Sequence, residues 1–241
     1  MKILYRPIIL IISIITLSMN STPLFAQNDA PATTEFPAIM KPYDWHLSLG
    51  YASIKMPTDI YLEAAAARFP LIKFAAVMGL PSDFLLDAKV NTELVTNEFV
   101  LGVRWVYAID KNLHLDVGYG LAFLYGQLKQ FNYDSKISGW YSYPSAALGY
   151  DWGNLVLTFR GGFSLINSLQ STSGSTTVDF AVARGNGFFY RITLEQRFYK
   201  MTTVGIGFQM NYMKFYYPEW LMFPAFDRFY WIPELQIMFS I

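Results

Sequence analysis

Two spacings in the chain carry the residue types of acid–base chemistry. His46 and Ser48 stand two residues apart, and so do His114 and Asp116. A histidine beside a hydroxyl is half of a nucleophilic site. A histidine beside a carboxylate is the half that orients the base. Each pair lacks its third member, so neither completes a catalytic set. Neither supplies the three ligands that a metal would need. Hydrogen bonding within a strand wall is the expected role of both pairs, and no enzymatic activity is expected. The chain has no cysteine and only these two histidines, so disulfides and thiolate centres are excluded and no cofactor is expected.

A larger set of charges has a different chemistry. In the stretch RITLEQRF, Arg191, Thr193, Glu195 and Arg197 alternate with Ile192, Leu194 and Phe198. The same alternation puts Glu98, Arg104, Asp116, Arg160 and Glu234 on the polar side of their own segments. Together these are four arginines and four carboxylates. Charges gathered on one face of a sheet and held in a narrow space must pair with one another. The guanidinium fork suits such pairing because it bridges two carboxylates. Glu195 and Glu234 are expected to meet arginines of adjacent strands. The expected chemistry is a paired polar interior. Its alternative is the lining of a narrow ion path, which Gly118, Gly120, Gly126, Gly162, Gly205 and Gly207 would favour by leaving room for water.

The elements that hold these residues read as strands. Eight segments alternate with period two: 44–55, 98–108, 113–127, 139–150, 155–166, 188–199, 203–214 and 229–241. In the third, Leu115, Val117, Tyr119, Leu121 and Phe123 oppose His114, Asp116, Gly118, Gly120 and Ala122. Pro144 predicts a distortion in the fourth. Short turns at 110–112, 151–154 and 200–202 alternate with long connections at about 57–85, 128–138, 167–187 and 215–228. The first long connection contains an alanine run, 64–67, which predicts a helical segment over 59–79 that caps the mouth, lies on the lipid surface or folds into the lumen. Within it Arg68 and Lys73 face lipid phosphates. The last, FYYPEWLMFPAFD, is a candidate surface-binding loop through Tyr216, Tyr217, Trp220 and Phe223, or else an aromatic girdle.

Composition and the first residues suggest what the oily face meets. Lys2 and Arg6 precede an apolar run, and Ala26 ends a small-residue site, the pattern of a signal peptide over 1–26. Residues 27–43 read as a periplasmic leader and 44–241 as the barrel domain. Removal of Lys2 and Arg6 from 18 basic and 18 acidic residues leaves a slight acidic excess, which does not favour nucleic acid. Aromatic residues make up 18% of the chain, including 17 Tyr and 20 Phe. After the signal peptide no apolar stretch is long enough for a spanning helix, whereas strands hide their apolar residues at alternate positions. A soluble lipocalin-like barrel has the same periodicity with the apolar face turned inward. Bulky residues on one face and small ones on the other favour lipid outside.

The chain therefore resembles the small eight-stranded outer-membrane barrels of Gram-negative bacteria, of the OmpA transmembrane-domain and OmpX type. The resemblance rests on strand count, turn alternation and the aromatic last strand YWIPELQIMFSI, where Phe239 lies two residues before the end. It implies an all-β, eight-stranded antiparallel transmembrane β-barrel with a partly helical first extracellular loop. It also implies an outer-membrane location. The partners implied are outer-membrane lipid or lipopolysaccharide, the barrel assembly machinery and an extracellular ligand. Envelope integrity or surface binding through the loops is the expected role. A narrow porin-like channel gated by the first loop is the alternative, and a lipid-modifying enzyme is the third reading.

Overall fold

The computed structural model describes residues 33–55, 57, 68–93, 95–130, 133–173, 176–179, 185–198, 202–222 and 228–241. The expected signal peptide, the alanine run and Phe223 lie outside them. The strands are β1 (Trp45–Lys55), β2 (Arg68–Gly79), β3 (Phe84–Thr92), β4 (Thr96–Ala108), β5 (Leu113–Gln130), β6 (Tyr133–Asp151), β7 (Leu155–Ser173), β8 (Thr176–Asp179), β9 (Gly185–Arg197), β10 (Thr203–Met213) and β11 (Tyr230–Ser240). All pairings are antiparallel. Ten strands close a ring, with β1 against β11 and β6 against β7, while the short β8 pairs with the end of β7 beyond the ring. At the seam the amide of Leu47 donates to Ile241 O, and that of Ile241 donates to Leu47 O.

The expected count of eight is corrected to ten. The hairpin β2–β3 occupies what reads in sequence as the first long loop, and its strands join through a 3-10 turn at Pro81–Asp83. No α-helix occurs among the described residues. The physical reason is weak contrast. Leu71, Ala75 and Val77 face inward while Ile72, Phe74 and Ala76 face outward, so both faces are apolar and the period of two is muted. The connections expected at 128–138 and 167–187 are also largely strand. β5, β6 and β7 run for 18, 19 and 19 residues, well past the roughly 9–11 needed to cross a bilayer. Beyond the apolar belt both faces are polar, and alternation no longer shows in the sequence.

The expected facing is found. On β4, Phe99, Leu101, Val103, Trp105 and Tyr107 point outward, with Leu101 58% exposed, while Arg104 and Val106 are buried. Val117, Tyr119 and Leu121 of β5, Phe159 and Phe163 of β7, and Ile206 and Phe208 of β10 continue this belt. An apolar surface around the whole circumference far exceeds the isolated patches of a soluble protein. The lipocalin-like alternative fails because the charges lie inside. In β6 the ladder to β7 lapses at Tyr143 and Pro144, where proline has no N–H to give, and a bulge lies between Trp140 and Tyr141.

Ten strands enclose a wider bore than eight, and the chain fills it from both ends. Residues 33–40 enter from the end where β1 starts and β11 finishes. Thr33, Thr34, Glu35, Phe36, Ala38 and Met40 are all buried. The chain reverses at Tyr43, with φ at +69°, to enter β1. Gly79 lets this reversal pass, because a Cβ there would lie 2.2 Å from Lys41 O. The segment expected to be a free periplasmic leader thus runs, in its described part, within the wall. At the opposite end, Phe215, Tyr216 and Trp220, before and within the 3-10 turn Tyr217–Met222, form a buried cluster with Tyr141, Leu124 and Ile137.

Candidate functional site

The lumen holds one connected set of charges, and Asp116 is at its centre. This side chain is fully buried. It accepts from Arg104 Nη1 at 3.1 Å, and from Arg160 Nη1 and Nη2 at 3.0 and 2.7 Å. Arg104 turns its other edge to Asp87 of β3, with Nη2 2.8 Å from Oδ1. The fork geometry of arginine is used twice here. Arg104, Asp116 and Arg160 were expected on the inward face without assigned partners; Asp87 was not among the expected interior charges.

Glu35 supplies the second centre. Its carboxylate takes Arg191, Lys89 at 3.5 Å and Arg160 Nε at 3.3 Å. These three cations come from β9, β3 and β7. Burial acts to raise the pKa of Glu35, but Arg191, Lys89, Arg160 and Arg104 together hold it well below the usual carboxylate range. The backbone of the same segment is gripped as well. Glu195 accepts from the amides of Thr34 at 3.1 Å and Phe36 at 3.0 Å. Arg160 Nη2 donates to Glu35 O at 3.2 Å, and Thr34 Oγ1 meets Ser240 Oγ at 2.8 Å. Phe36 lies against His114 and over Gly149, where an added Cβ would come within 2.6 Å of the ring.

Several expectations are corrected. Among the described residues Glu195 meets no arginine; it holds two amides of the N-terminal segment. Glu234 pairs with Lys73 of β2, a residue expected at the lipid surface. Arg197 lies outside the network, at the rim, 2.9 Å from Asp151. Glu98 carries no ion pair among the described residues; it accepts from Tyr143 Oη and Asn91 Nδ2, each at 2.7 Å. His114 and Asp116 do not act as a pair, because His114 Nδ1 lies 2.9 Å from Pro37 O and Asp116 belongs to the arginines. A carbonyl only accepts, so that nitrogen carries the proton. Of the six glycines expected to leave room for water, four admit side chains instead: Arg104 lies over Gly118, Trp220 over Gly126, Phe189 over Gly162 and Gln236 over Gly207, while Gly120 lines a cavity in the lumen.

The expected surface-binding loop is corrected too. Tyr216 and Trp220 are buried, and Tyr217 is half-buried. Trp220 Nε1 donates to Thr96 Oγ1 at 3.0 Å, and Tyr216 Oη donates to Glu234 at 3.0 Å. Asn186 pins the turn, donating to Phe215 O at 2.8 Å and accepting from Phe215 N at 2.9 Å. A buried aromatic with a polar tip seeks a partner, and here the partners lie in the lumen. Between this lid and the N-terminal segment is a cavity of about 150 Å³, lined in part by Lys73, Lys89, Glu98, Arg191, Tyr217 and Glu234.

Glu35, Lys73, Asp87 and Lys89 are the site residues that sequence reasoning missed. A signal existed for Asp87 and Lys89. Leu85, Asp87, Lys89 and Asn91 alternate with Leu86, Ala88 and Val90, which reads as a strand with a polar inner face.

No protein-family model and no curated protein matches the sequence. Among solved structures, the chain aligns with Ail, the attachment invasion locus protein of Yersinia pestis, at 9% identity. That alignment covers 83% of this chain and 98% of Ail with a TM-score of 0.41. The NanC porin aligns at 9% identity over 82% of this chain and 99% of its own, with a TM-score of 0.42. Outer membrane phospholipase A from Escherichia coli aligns at 14% identity over 83% and 90%, with a TM-score of 0.38. Similarity this low carries no activity across. The class is defined by the molecule itself: a closed antiparallel β-barrel, apolar outside and ion-paired within. Closure leaves no edge of the ten ring strands unpaired, as a span through lipid requires.

Proposed function

We propose that this protein is a non-enzymatic outer-membrane barrel whose lumen is a stoppered conduit for small solutes. The observation that carries this reading is the N-terminal segment inside the wall. Residues 33–40 fill one end through side-chain and amide contacts and add no strand to the ring. A segment held this way can leave without opening the barrel. The gate is thus assigned to the N-terminal segment, in place of the first loop. The aromatic lid at 215–222 closes the other end, and the charged cavity lies between. Lipid or lipopolysaccharide is the partner of the outer belt, and the barrel assembly machinery is the partner during insertion.

Planar-bilayer recording tests this. The chain from residue 27 onward is compared with a form in which residues 33–40 are replaced by a Gly/Ser stretch. Both are first checked for folding by heat-dependent gel migration. Discrete conductance steps that become larger or more frequent in the replaced form are expected. A folded but silent replaced form would overturn the conduit. The lumen would then be a packed polar core, with envelope integrity as the remaining role.

A further inference from the structure

We propose that the seat of Glu35 is a binding site for small monocarboxylates that also carry N–H or O–H donors, and that the N-terminal segment is its built-in competing occupant. The proposal rests on the stoppered-conduit reading and names the solute class. Among the described residues, Glu35 is the one acidic group in ion-pair contact with Lys89 or with Arg191. Arg160 also turns its Nε toward Glu35, although its fork is already held by Asp116. When the segment leaves, two wall cations lose their carboxylate. Both are only partly buried even with the segment in place, and two like charges facing one low-dielectric lumen without a counter-charge draw an anion to the vacated seat.

Glu195 narrows the class. It is buried on the wall beside the seat and receives two amide donors from the segment, at 3.1 and 3.0 Å. With the segment gone it lacks both. The charges that the segment leaves behind, Lys89, Arg191 and Glu195, sum to a single positive charge. A monoanion restores neutrality, and its own donors replace the amides on Glu195. The segment presents this pattern itself: one carboxylate, with an N–H donor on either side of it along the chain. Hydroxy acids and monocarboxylated sugar acids share that chemistry, whereas acetate offers no donor and inorganic phosphate brings excess charge. The cavity lined by Lys89 and Arg191 adjoins the seat and gives a solute room beyond its carboxylate.

Calorimetric titration of the refolded chain with glycolate tests the site, with acetate and inorganic phosphate as comparisons. Glu35→Gln removes the competing charge, so glycolate is expected to bind about tenfold more tightly or better than to the parent chain. Arg191→Gln added to that variant abolishes the gain, and acetate binds more weakly than glycolate. Equal glycolate affinity in the parent and the folded Glu35→Gln form overturns the proposal, and phosphate binding as well as glycolate overturns the solute class. If Glu35→Gln fails to fold, an Ala38→Cys chain replaces it. Glycolate then accelerates maleimide labelling of that cysteine by displacing the segment, and an unchanged rate refutes competition. Recordings on the same samples separate the two readings. Binding in a silent barrel retains the site and removes the conduit, while conductance without binding does the reverse.

Discussion

Replacing Asp116 with leucine tests whether the lumen is dry enough for its charges to depend on one another. The carboxylate accepts three hydrogen bonds from two arginines, and both arginines are buried. Removing one member of a buried ion pair costs roughly 3–5 kcal/mol, because the charge left behind has lost its solvation as well as its partner. Two features move the expectation to the lower end of that range. Arg104 keeps Asp87 at 2.8 Å, and Arg160 keeps Glu35 at 3.3 Å. A loss of about 3 kcal/mol is therefore expected. With a urea slope of about 2 kcal/mol/M, the unfolding midpoint falls by about 1.5 M. The assay is reversible urea unfolding in lipid vesicles, followed by tryptophan emission and gel migration. Asp116→Asn, which keeps the shape and one acceptor oxygen, should lose less. A leucine variant with an unchanged midpoint and slope would refute the reasoning, since it would mean that water solvates both arginines.

Three other outcomes are expected. Gly149→Leu places a side chain where Phe36 and Pro37 now lie, so residues 33–40 become sensitive to added protease while the barrel keeps its heat-dependent migration. Leu121→Arg on the outer belt lowers folding stability by roughly 2–4 kcal/mol, measured by urea titration in vesicles; normal stability would reverse the facing. The seating of the segment also has a defined pH dependence. Glu35 has a folded-state pKa depressed by Arg191, Lys89, Arg160 and Arg104 despite its burial. Its contribution is therefore fully present above the ordinary carboxylate pKa and is lost only as pH falls through the depressed value. Residues 33–40 should stay protected from proteolysis from neutral to mildly acid pH and be cut, by an acid-active protease, only in strong acid.

Much of the wall was legible in the sequence because its inner and outer faces differ in kind. Tyr119 and Leu121 against Asp116 and Ala122 leave one reading, and the structure follows it. Legibility fails where that contrast fades. Strand β2 has alanines and aliphatics on both faces, and its inward Lys73 reads equally well as a surface lysine, so the polar inner face of β3 had no visible partner. The outer parts of β5 to β7 have polar residues on both faces, so Ser135, Ser171 and Thr172 read as loop. The interior charges were assigned to the correct side but to the wrong partners. Strand register and strand count decide who meets whom, and two unseen strands lie between β1 and β4, bringing Lys73, Asp87 and Lys89 into the lumen. Glu35 was the hardest to find, because no periodicity in residues 27–42 indicates that a Pro- and Ala-rich stretch lies within a barrel.

The seam between β1 and β11 has a consequence for the order of events during assembly. Glu195 and Arg191, which hold the N-terminal segment, belong to a strand that follows most of the wall in the chain, and Ser240 belongs to the last strand. The segment's grip is thus incomplete until the final staves arrive, and its chain runs directly into the first stave. When β11 zips onto β1, whatever lies within the circle is enclosed by a covalent and hydrogen-bonded hoop. A segment caught outside at that moment can enter later only along the axis, head first, turning about Tyr43. Insertion therefore has a fork with two products that share every wall contact and differ only in whether the bore is threaded. Their ratio at closure depends on when the segment docks, and axial exit and re-entry of the segment then bring the two forms to equilibrium.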